Sequence, residues 1–66
     1  MWTVIYIAHT LRLAEQIQSR LTTDGFLVKL RAANGMHQQY EILVPETELE
    51  DVRDTLREIL HSSLLG

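Results

Sequence analysis

Phe26-Leu-Val-Lys-Leu-Arg31 and Tyr40-Glu-Ile-Leu-Val44, the second followed at once by Pro45, are the two runs on which the fold turns. Both alternate. In the first, Phe26, Val28 and Leu30 fall on one side of an extended chain and Leu27, Lys29 and Arg31 on the other. In the second, Tyr40, Ile42 and Val44 fall on one side and Glu41 and Leu43 on the other, and Pro45 removes a ladder donor and ends the run. Two adjacent strands with matching apolar sides predict an antiparallel hairpin. Its register can be tested by parity. A two-residue Asn34-Gly35 turn pairs residues whose numbers sum to 69 and sets Val28 opposite Glu41, a carboxylate on the apolar side. A three-residue loop, Ala33-Asn34-Gly35 with Gly35 left-handed in a bulge, gives sums of 68 and sets Val28 against Tyr40 and Phe26 against Ile42. This odd loop is the preferred reading. A five-residue loop or a frayed tip across 32–38 keeps the same parity, and the polar stretch Met36-His-Gln-Gln39 permits either.

Working outward, Thr3-Val-Ile-Tyr-Ile-Ala8 is β-branched and aromatic without a breaker and predicts a first strand. Thr10 then caps a helix whose apolar positions Leu13, Ala14, Ile17 and Leu21 form one stripe. Asp24-Gly25 ends it, Gly25 taking the left-handed conformation that carries no Cβ strain there. Beyond Pro45, Thr47-Glu-Leu-Glu50 reads as a capping box, with the second helix starting at Glu48. Its apolar set is Leu49, Val52, Leu56, Ile59 and Leu60; Glu50 with Arg53 and Asp54 with Arg57 form solvent-side pairs; the helix runs to about His61 and frays through Gly66.

The element order is therefore β-α-β-β-α, one α+β domain across residues 1–66. A right-handed crossover from the first strand to the second, with the third inserted antiparallel between them, gives a sheet in order 1-3-2 with both helices on one face. This two-layer arrangement is a ferredoxin-like fold without its fourth strand. Its consequence is an uncovered sheet face. If Ile5 and Ile7 point to the helices, then Trp2, Val4 and Tyr6 point away together with Leu27 and Leu43, and these five are the candidate interface. The opposite phase leaves Thr3, Ile5 and Ile7 outside instead, and the tail Leu64-Leu65 is another way to cover the face. The first strand is also a sheet edge without charge or Pro, a template for another strand.

Composition narrows the function classes. At 66 residues, with 45% hydrophobic side chains and no Cys, the chain has neither disulfide nor Cys-bound metal to reinforce a small core, so association with itself or a protein partner is expected. Net charge is −3, with Glu46, Glu48, Glu50, Asp51, Asp54 and Glu58 all at one end, while the six basic residues form no cluster. That distribution argues against nucleic acid. The apolar start Met1-Trp-Thr-Val-Ile-Tyr-Ile-Ala8 lacks a basic flank and is short for a signal sequence, so neither membrane insertion nor export is expected and the cytoplasm is the expected location.

Val4-Ile-Tyr-Ile-Ala8, the helix end Asp24-Gly25-Phe26 and Glu41-Ile-Leu-Val-Pro45 before an acidic helix together resemble a family of small bacterial signal-transducing proteins of unassigned function, distantly similar in fold to PII-type regulators. The likeness spans roughly residues 3–60. It implies a βαββα core and regulatory binding. The chain lacks the long loop and fourth strand of full PII-type proteins, so their mode of nucleotide binding is not implied.

Individual residues offer few sites. His9, Thr10 and Arg12, where the first strand enters the first helix, form a candidate anion site, because free amides at a helix start and a guanidinium both favour negative charge. The simpler reading is a Thr10 cap and a solvated Arg12. His9, His37 and His61 lie 28 and 24 residues apart without the spacing of a metal motif, so no metal or cofactor is expected. No nucleophile, base and orienting acid share a motif, and no enzyme activity is expected. The leading expectation is a non-catalytic regulatory or binding domain acting as a homodimer. The alternatives are an accessory subunit whose apolar sheet face is buried by a different protein, and small-anion binding at the first strand–helix junction.

Overall fold

The computed structural model of the chain describes residues 1–33, 35 and 38–65, with side chains described as far as His61. Its elements are β1 (Trp2–Ala8), α1 (Leu11–Thr23), β2 (Lys29–Ala33), β3 (Gln39–Pro45), a 3-10 turn (Glu46–Glu48) and α2 (Leu49–Leu65). The sheet runs β1-β3-β2, with β3 antiparallel to both neighbours. Ala14, Ile17 and Leu21 of α1 and Val52, Leu56 and Ile59 of α2 close with Ile42 and Val44 of β3 into one core. Both helices thus share one face of the sheet, the truncated ferredoxin-like arrangement expected. The Cα envelope is only 16 Å thick against 33 and 32 Å in the other directions. That thickness accommodates one sheet and one helix layer.

Helix α1 begins and ends as its residues dictate. The Thr10 hydroxyl accepts from the Leu13 N–H at 3.1 Å. At the other end the Phe26 N–H donates to the Leu21 carbonyl and the Gly25 N–H to that of Thr22, with Gly25 at φ +96°. These two bonds make a Schellman stop, and Phe26 and Leu21, which it brings together, both join the core.

The hairpin differs from the preferred register. Lys29 pairs with Leu43, Leu30 with Ile42 and Ala32 with Tyr40, so paired numbers sum to 72 rather than 68. Val28 is not opposite Tyr40, nor Phe26 opposite Ile42. Parity survives the four-unit shift, so Phe26, Val28 and Leu30 still pack on the core. Pairing ends at Ala33–Gln39, and five residues separate the two strands. The expectations for Asn34, Met36 and His37 lie outside the described residues.

Strand β2 also starts three residues later than expected. In this register Leu27 stands opposite Pro45, which has no N–H to offer, and the ladder stops. The Leu27 N–H donates instead to Glu48 Oε2 at 3.1 Å.

The start of α2 is a second correction. Pro45 at φ −62° leads directly into the 3-10 turn, so Thr47 lies inside that turn and not at a cap. Among the described residues no capping bond from Thr47 or Glu50 forms. The helix then continues to Leu65, past the expected fraying at His61. Among the described residues the ion pairs are Arg20–Asp24 and Arg31–Glu41, and the expected Glu50–Arg53 and Asp54–Arg57 pairs are not made. Exposed long side chains gain little from pairing against the entropy of being held.

Candidate interaction face

Strand β1 carries the third correction and the geometry of the candidate site. Trp2, Thr3 and Val4 pair with Pro45, Val44 and Leu43, but Tyr6, Ile7 and Ala8 pair with Ile42, Glu41 and Tyr40. Ile5 is the extra residue of a β-bulge. A bulge sets two residues against one, so the side chains beyond it change faces. Thr3 therefore faces the helices with Val44, Ile5 and Tyr6 both pack on the core, Ala8 is buried, and Trp2, Val4 and Ile7 point to the side no helix covers. Tyr6 is not on the open face as expected, and Ile7 takes its place. Neither of the two regular phases weighed from the sequence describes the strand, because each assumed unbroken alternation.

The open face is divided by chemistry. On β3 its centre is Leu43, only 4% exposed although it is not part of the core cluster under the helices; the tail Leu64-Leu65, the other expected cover, lies outside the described side chains. Val4 and Lys29 flank Leu43 directly, and the Lys29 ammonium lies 5.7 Å from the centre of the Trp2 ring. Trp2 and Lys29 belong to the two outer strands, so their contact spans β3 and roofs Leu43. The cation is held to the ring face, and its stem shields the leucine. Leu43 belongs to the open face as expected, but its own neighbours bury it, which removes it from any exposed apolar surface. Beside it, Arg31 Nε and Glu41 Oε1 are 2.6 Å apart as a direct cross-strand pair. The β2 half of the face is thus polar, with Arg31 neutralised by Glu41 and Lys29 set against the Trp2 ring. The β1 half is apolar, with Trp2 44%, Val4 37% and Ile7 42% exposed. Leu27, 62% exposed, stands apart at the far corner, ahead of β2.

The candidate anion-site residues lie where β1 enters α1. Thr10 Oγ1 is occupied by the cap, His9 is exposed, and Arg12 lies along the outer face of α1 beside Glu15, Gln16 and Arg20 in a shallow open depression. Among the described residues no three His, Asp or Glu side chains gather as metal ligands. His37 lies outside that description. No described helix is long and apolar enough to cross a membrane.

Ile7 was missed as a site residue. The signal that could have found it is the unbroken apolar run Val4-Ile-Tyr-Ile-Ala8, in which a bulge sends two adjacent apolar residues to the core without putting a polar one there.

No known protein family, curated protein or solved structure matches the chain. The assignment is a small two-layer α+β domain of βαββα topology.

Proposed function

We propose that this chain is a non-catalytic binding domain that works as a homodimer through the apolar β1 side of its open sheet face. The observation that carries the reading is the segregation of that face, with Trp2, Val4 and Ile7 exposed together on β1 while Arg31 of β2 pairs with Glu41 of β3 and the Lys29 ammonium lies over the Trp2 ring. A regulatory role accords with the likeness to small signal-transducing proteins, and the exposed acids of α2 give a dimer two negative surfaces for a partner to read.

Magnitudes limit the form the dimer takes. Full burial of a large apolar side chain contributes about 1.5–3 kcal/mol, so covering the two-fifths still exposed on three side chains of each copy gives roughly 4–7 kcal/mol in total. Association costs about 4–15 kcal/mol. The apolar strip alone therefore leaves little surplus, and a stable dimer draws on backbone pairing as well.

Sedimentation equilibrium tests the reading. The chain is expected to dimerise, and Ile7→Glu to weaken the dimer at least tenfold while its circular dichroism is retained. Tyr6 does not serve this purpose, because a charge there enters the core. A wild-type chain that stays monomeric into the high micromolar range would sink the homodimer and favour burial of the same side chains by a different polypeptide.

A further inference from the structure

The bulge in β1 has a symmetry that selects a partner. Along residues 3–8 the side chains face helix, open, helix, helix, open, helix: Thr3, Val4, Ile5, Tyr6, Ile7, Ala8. That order reads the same in both directions about the midpoint between Ile5 and Tyr6. A regular strand can pair with a two-fold copy of itself about any residue, but with the bulge registers centred on Val4 or Ile7 match faces over three residues, and only the register centred between Ile5 and Tyr6 matches them along all of residues 3–8. In it Val4 lies opposite the partner's Ile7, Thr3 opposite the partner's Ala8 and Ile5 opposite the partner's Tyr6. Shifting it by one or two residues in either direction opposes a helix-facing side chain to an open one.

The in-plane groups agree with that register. The Glu46 N–H donates to the Met1 carbonyl at 2.8 Å, so by ladder alternation Met1 and Thr3 turn their backbone groups toward β3 and Trp2 and Val4 turn theirs outward. Beyond the bulge Tyr6 and Ala8 turn inward and Ile7 outward. The outward N–H and C=O groups of β1 are therefore those of Trp2, Val4 and Ile7, and the symmetric register brings Val4 and Ile7 of the two copies together.

We infer that β1 pairs antiparallel with β1 of a second copy about a two-fold axis between Ile5 and Tyr6, joining two three-stranded sheets into one of six strands. This rests on the homodimer reading and specifies its geometry. Trp2–Ala8 carries no charge, so self-pairing opposes no like charges, whereas the other edge, β2, is guarded by Lys29 and Arg31. The outer side of β1 is also where a strand following α2, crossing over parallel to β3, would pair. The second copy fills that place, and its Ile7 and Val4 cover the flanks of this copy's Val4 and Ile7 by cross-strand contact.

Amide hydrogen exchange followed residue by residue on the unmodified chain, at concentrations above and below the dimer dissociation constant, tests the geometry. Edge pairing predicts that the Val4 and Ile7 amides exchange at least tenfold more slowly in the dimer, while the outward amides of Leu30 and Ala32 on β2 do not change. A dimer in which Val4 and Ile7 exchange freely, or in which Leu30 and Ala32 are slowed instead, overturns the edge geometry and leaves the homodimer reading standing. A chain that remains monomeric overturns both.

Discussion

Gly25 and Pro45 show how single residues set the limits of the elements around them. Gly25 sits at φ +96°, a conformation in which a Cβ is strained, yet a Cβ built there would meet nothing within 4 Å. The cost of a side chain is then backbone strain alone, so Gly25→Ala is expected to destabilise the fold by about 1–2 kcal/mol in urea denaturation. A loss well above that would show that the side chain collides with something after all. Pro45 acts by omission. Its missing N–H stops the β2–β3 ladder, and its fixed φ starts the turn toward α2. The first effect was legible as a strand end in the residue itself. That it would also shorten β2 was not, because which residue of β2 stands opposite Pro45 depends on the hairpin register.

The elements are tied by contacts that span them. Glu48, read as the first residue of α2, instead ends the 3-10 turn and accepts the Leu27 N–H. One carboxylate thereby joins the segment after α1 to the segment before α2. Glu48→Ala is expected to cost up to about 1 kcal/mol, since the bond is exposed, and to accelerate amide exchange at Leu27 selectively. Unchanged exchange at Leu27 would mean that water serves that amide equally well. The stripes of α1 and α2 and the Thr10 cap were readable because they depend on spacing within a few residues. The bulge at Ile5 was not, because every residue from Val4 to Ala8 is apolar and tolerates either face. Tyr6 and Ile7 consequently exchanged places between the expected and the observed open face.

The whole molecule is a thin plate with one sheet face on the helices and the other partly self-covered. If the native state is a dimer, unfolding is coupled to dissociation, and each tenfold rise in protein concentration adds about 1.4 kcal/mol to the stability of the pair. The midpoint of thermal unfolding is then expected to rise by roughly 3–5 °C per tenfold concentration. A midpoint independent of concentration would mark an independently folding monomer. Element order, helix stripes, sheet order and the side of the sheet taken by Phe26, Val28 and Leu30 all follow from local spacing and chain connectivity, so they could be read directly from the residues. Folding alone settled the four-unit register shift, the bulge, the roof that Trp2 and Lys29 place over Leu43, and the gathering of exposed apolar surface on β1. Each of these depends on which residues meet across strands, a quantity that the order of side chains along one strand leaves open.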